Sequence, residues 1–198
     1  IKYYKIISRY ELFNKILMCD MNDVIFQSNP FDIKLEKNRL YCAQEISSYD
    51  DNSNSSTRLN SKWIRNTHKK IEVLKSFDKA HYKNKNVICA GTILGDRESV
   101  LSYLHWYEMI QPKKDFQNDQ GLLNIYAYEY GENKITVKNY KDSLILTLDK
   151  INFADIDKNS NGFLINSNGK KYCIIHQIDR CGLKKLKYLK KTILKNKK

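Results

Sequence analysis

The sequence predicts an α/β fold, and three observations carry that reading. Short apolar runs alternate along the chain with longer amphipathic stretches, as strands alternating with helices do. At 198 residues and 41% apolar content the chain can bury one substantial core, so a single domain is expected. Four polar clusters fall close to where apolar runs end or turn small: Asp20 to Asp23, Gly91 to Gly95, Asn118 to Gln120, and His176-Gln177. Open α/β sheets collect ligands at the carboxyl ends of their strands.

The elements follow in order. Residues 1–13 have helix-compatible spacing, with Ile6, Ile7, Tyr10 and Phe13 on one side. "KILMC" (15–19) is a strand that stops at a polar corner, and "VIFQ" (24–27) follows until Asn29-Pro30 breaks the pattern. "RLYCAQE" (39–45) reads as a short strand, and residues 47–61 as a polar loop. Residues 62–79 look helical. "NVICAGTILG" (86–95) is a strand ending in small residues, and residues 96–110 form an amphipathic helix with Asp96 as N-cap and Glu98 and Glu108 facing outward. A further helix opens from the polar start at residue 118 and runs to 130, and "SLILTLD" (143–149) is a strand. Residues 162–177 read as a hairpin turning at Asn168-Gly169, and a basic helix closes the chain.

Charge and cysteine usage narrow the function classes. The formal net charge is +13, but residues 184–198 hold eight lysines and no acid, leaving the rest with a surplus of only five. A body so nearly balanced argues against a module built for specific nucleic-acid binding. The five cysteines form no C-x-x-C pair, which removes zinc-ribbon and thioredoxin-like readings. Cys19, Cys89 and Cys173 lie in apolar runs, where a thiol behaves as a small hydrophobe. No apolar run approaches the length of a membrane span.

Asp20, Asn22 and Asp23 have two readings. They can offer hard oxygen ligands to Mg²⁺ or Mn²⁺ at a strand end, or they can end the strand by bonding their own backbone. His176, within "CIIHQI", is either a ligand or a hydrogen-bonded core histidine. Asp119 is a functional carboxylate, a helix cap, or both. Residues 157–168 imitate a calcium-binding loop, but position twelve is Asn168 instead of the bidentate glutamate calcium needs, so a plain loop is expected.

Taken together, "CDMNDVIFQSNPF", "NVICAGTILG", "NDQGLLN" and "IIHQIDR" occur in the order and at roughly the separations of a known family. Across residues 9–182 the chain resembles the GT-A-type nucleotide-sugar-dependent glycosyltransferases, in the group with a D-x-x-D-V-x-F-Q acidic motif. The resemblance implies a GT-A-like, Rossmann-like mixed sheet flanked by helices over residues 1–182, followed by a basic tail, 183–198. It also implies transfer of a sugar from a UDP- or GDP-sugar to a hydroxyl of a glycan, protein or lipid, with Mn²⁺ or Mg²⁺ on the diphosphate. Asp20, Asp23 and His176 would be the metal ligands. Asn22, Gly91, Thr92, Asp119, Gln120 and Gln177 would meet substrate, with Asp119 the candidate base.

The chain departs from the family pattern at Asn22, where a basic residue is usual, and at Ala90, where serine is. Only 19 residues precede Asp20, which implies that front nucleotide-binding strands lie outside this chain. A binding protein that keeps the fold without turnover is the alternative, and a basic nucleic-acid-binding module a more remote one. The tail could touch an anionic membrane surface or dock as a final helix with its lysines solvated. The compartment stays open between a Golgi or ER lumen and the cytoplasm.

Overall fold

A computed structural model of the chain describes residues 2–48, 55–71, 74, 78–110, 118–148 and 151–195. The fold is mixed α/β, with two mixed sheets flanked by helices. The first sheet has the order β1-β4-β3-β5, from β1 (Lys15–Cys19), β3 (Leu40–Ser48), β4 (Asn86–Asp96) and β5 (Ile135–Lys138). Its β1–β4 and β3–β4 pairs are antiparallel, and β3–β5 is parallel. The second sheet has the order β2-β7-β6, from β2 (Val24–Phe26), β6 (Ile145–Thr147) and β7 (Ile174–His176). Here β2–β7 is antiparallel and β6–β7 parallel.

Helices cover the first sheet because their apolar stripes need a partner. Ile7 of α1 (Lys2–Arg9), Val100, Tyr103 and Leu104 of α4 (Arg97–Ile110) and Leu123 of α5 (Asp119–Ile125) pack onto Leu40, Cys42, Ile88 and Ile93 of the sheet. Asp96 caps α4 as expected, accepting a 2.8 Å bond from the Ser99 amide. Two sheets with separate ladders meet at an apolar seam of Tyr41, Leu94, Ile145, Cys173 and Ile174, joined by Leu17 and Val24. Tyr41 reaches across it, its hydroxyl accepting from the Leu144 amide at 3.1 Å.

Several sequence expectations are corrected. The segment read as loop through residue 61 is already helix from residue 55: α2 is Ser55–Lys70. Its buried stripe is partly polar, with Asn60, Thr67 and His68 beside Ile64. Hydropathy therefore hides the helical period, and hydrogen bonds offset the burial. The expected continuation to residue 79 includes 72–73 and 75–77, which lie outside the described residues, and α3 (Lys79–Tyr82) is a separate short helix. Strand β5 was not expected; its four residues bury only Ile135 and are read as strand only through pairing with β3. The helix from residue 118 continues after α5 as a π-helix, Tyr126–Tyr130.

The hairpin is half correct. Gly169, at φ +70, turns the chain, and Ile165 pairs with Lys171, but β7 then leaves to pair with β2 and β6. In the calcium-like loop the Asn159 carboxamide accepts from the Asn161 and Phe163 amides and so builds the turn itself. Cys19 is exposed instead of buried, whereas Cys42, Cys89 and Cys173 are buried. Among the described side chains of α1, Ile7 is buried and Ile6 exposed; the helix expected over residues 1–13 stops at Arg9, and Tyr10 and Phe13 beyond it are exposed. Glu98 faces outward, and Glu108 is half-buried. The basic α6 (Leu183–Lys195) docks through Leu186 and Leu189 onto the second sheet's core, its lysine heads mostly solvated. No described helix is long and apolar enough to cross a membrane.

Candidate metal centre

The polar corner after β1 lies where the two sheets meet. β1 pairs with β4 as far as Cys19 and Thr92, and the Asp20 amide adds one more bond, 3.0 Å to the Gly91 carbonyl. Four residues on, the chain enters the other sheet, where Val24 lies opposite His176. The Asp23 carbonyl accepts from the Ile178 amide at 3.1 Å, fixing the exit of β7. Thus Asp20 comes from one sheet, His176 from the other, and Asp23 from the corner that links them.

The ligand atoms of Asp20, Asp23 and His176 all lie within 4.8 Å of one another. His176 Nε2 is 3.1 Å from Asp20 Oδ2 and 3.4 Å from Asp23 Oδ2. The ring is almost wholly buried, with 2% of its side chain exposed, while Asp20 is 56% exposed and Asp23 22%. A buried nitrogen thus faces two carboxylates at a site open on one side. Asp23 Oδ1 is buried and has no hydrogen-bond partner, which a buried oxygen tolerates poorly unless a cation takes it. Two carboxylates and an imidazole make a mixed oxygen and nitrogen donor set that suits a divalent cation. The residues fit the group.

Gly91 shows why the site has room. A Cβ there would collide with Cε1 and Nε2 of His176 and lie 2.6 Å from Asp20 Oδ2. The glycine keeps clear the space the ligand set surrounds. Gly95 has a different role, being close-packed against Ser99 and Leu40.

Around Gly91 strand β4 bulges. Cys42 pairs with Ile93 and Gln44 with Ile88, so Cys89 to Thr92 stand opposite Ala43 alone. Side chains of α5 repair the broken ladder. Gln120 Oε1 accepts from the Ala90 amide at 2.8 Å, and Asn124 both accepts from the Ile88 amide and donates to its carbonyl at 2.8 Å. Gln120 Nε2 also donates to Asn60 at 3.1 Å and to the buried Glu45 at 3.4 Å. The sequence reading assigned Glu45, Asn60 and Asn124 nothing, and only a buried carboxylate within a strand could have signalled the first.

The other expected residues take these places. Asn22 is exposed in the corner beside Asp23; Thr92 is buried on β4. Asp119 is exposed in the first turn of α5, where its Oδ1 accepts from the Gln120 amide at 2.7 Å. The cap of that helix is Asn118, which accepts from the Gly121 amide at 3.0 Å. Gln177 is buried in the left-handed region, φ 61, a rare conformation for a residue with a side chain. It reverses the chain directly after His176. Cys19 is exposed, yet partial desolvation of its sulfur pushes the thiol up, with Asp20 and Asp23 adding to the shift.

Neither a family model nor a curated protein matches the chain. Among solved structures, the galactosyltransferase LgtC in complex with donor and acceptor sugar analogues is similar, with 13% identity and a TM-score of 0.43. The match covers 91% of this chain and 57% of that one, so this chain spans little more than half its length.

Proposed function

We propose that this chain transfers a sugar from a nucleotide-diphosphate donor to a hydroxyl acceptor, using Mn²⁺ or Mg²⁺ held by Asp20, Asp23 and His176. The observation that carries this reading is the convergence of those three side chains around the space that Gly91 leaves open. The motif resemblance of residues 9–182 supplies the reaction class. A bound divalent ion would supply Lewis-acid stabilisation to the departing diphosphate.

The chain's own residues do the remaining work. Gly91 and Thr92 bring backbone close to the donor, and Asn22 and Gln177 offer amides at its edge. Gln120 holds the Ala90 amide and so sets the shape of the β4 bulge beneath the donor. Asp119, exposed at the start of α5, accepts the acceptor hydroxyl's proton if the transfer inverts configuration.

Calorimetric titration with UDP- and GDP-sugars, with and without Mn²⁺, tests the reading. Metal-dependent binding of one nucleotide, lost in Asp20→Ala/Asp23→Ala, is expected. Binding that ignores both the metal and the double substitution would overturn it.

A further inference from the structure

Beneath the candidate ligand His176 lies a thiol. Cys89 Sγ is 3.3 Å from His176 Nδ1, on the side of the ring opposite the carboxylates. The pair is buried, with Cys89 2% exposed. Gly91 and Cys89 stand two residues apart on the bulged β4, so one segment clears space at Nε2 and supplies a partner at Nδ1.

The chemistry at the two nitrogens is coupled. An imidazole that gives Nε2 to a metal must carry its proton on Nδ1, and that proton needs an acceptor. A neutral imidazole that donates from Nε2 to Asp20 must accept at Nδ1. A thiol serves both arrangements, since it is a weak donor and a weak acceptor.

We infer that Cys89 is a positioning residue for His176: it accepts from Nδ1–H when Nε2 binds a divalent ion and donates to Nδ1 when Nε2 turns to Asp20. The inference rests on the metal reading above. Histidine ligands more often give this proton to a carboxylate or carbonyl. A thiol is a weaker acceptor than either, so it raises the ring's basicity as a ligand less.

The test compares Cys89→Ala, Cys89→Ser and Cys89→Val in the whole chain. Mn²⁺ affinity is read by the signal of free Mn²⁺ in electron paramagnetic resonance. Loss of the Nδ1 partner should weaken binding by about tenfold or more in Ala and Val, the scale seen when such outer partners are removed. Ser should recover most of it. In the Zn²⁺-loaded protein, the His176 Nδ1–H resonance should shift between wild type and Ser and lose its exchange protection in Ala. Wild-type affinity in Ala and Val, with an unmoved resonance, would overturn the role of Cys89. Failure of wild type itself to bind Mn²⁺ would overturn the metal reading instead. Should Ala and Val not fold, an unmoved resonance in Ser alone would overturn the inference.

Discussion

Among the described residues, two histidine–carboxylate constellations differ in how their charges balance. At the sheet seam one buried nitrogen of His176 faces two carboxylates, and one oxygen of Asp23 has no partner. Beneath α2, His68 Nε2 lies 3.0 Å from Glu129 Oε1, with 2% and 14% of their side chains exposed. Tyr82 donates to the same carboxylate oxygen. In the second constellation two donors serve one acid; the first has acceptors in surplus and an opening to solvent. The histidines are equally buried, so burial does not separate the two. The surplus of oxygen ligands does.

The sharpest way to break the comparison is to empty the second cluster. Glu129→Ala leaves His68 and Tyr82 facing each other without their acid, and should cost about 3 kcal/mol in urea unfolding. Mn²⁺ affinity should stay the same. If it falls instead, the two clusters are coupled and the contrast fails. Next in size is the open cluster. Mn²⁺ at about 100 times its dissociation constant should add roughly 2.7 kcal/mol to thermal stability, and Asp20→Ala/Asp23→Ala should remove that gain. A gain that survives the double substitution would place the ion elsewhere.

Gly91→Ala probes the space alone. Its Cβ must displace His176 or Asp20, at a cost of about 2 kcal/mol in stability and the loss of Mn²⁺ binding, both measurable in one set of melts. The smallest effect is a pH dependence. Burial by itself would raise the Glu129 carboxyl, but hydrogen bonds from His68 and Tyr82 and the charges of His68 and His81 outweigh it and hold it below its ordinary 4.5. A depressed folded value gives stability that is present above 4.5 and lost as pH falls through the lower folded value. Unfolding measured between neutral pH and pH 3 should show that loss, and Glu129→Gln should flatten it.

The contrast also marks what the sequence reveals. Asp20, Asp23 and His176 are legible because carboxylates interrupt an apolar strand and a histidine interrupts another, so chemistry stands out against hydropathy. The strands β1, β4 and β7 are legible for the same reason. The His68–Glu129 pair is silent, since a polar residue on a helix reads as solvated whether it is buried or not. So is α2, whose inner stripe is half amide and hydroxyl. The bulge in β4 is hidden more deeply: "VICAGTIL" looks like an unbroken strand, and its repair by Gln120 and Asn124 is a tertiary fact. Four residues of β5 carry too little pattern to be seen without β3 beside them.

The seam itself has a consequence for the disordered chain. Asp20 and Asp23 remain neighbours when the protein unfolds, but His176 is 156 positions from Asp20. Recruiting it in a random coil means closing that loop, at a cost of about 5 kcal/mol in chain entropy. A coil therefore offers an ion two carboxylates, and only docked sheets offer the imidazole. An ion gripped by all three reports that the seam is shut, and each loss of docking between the sheets would release it.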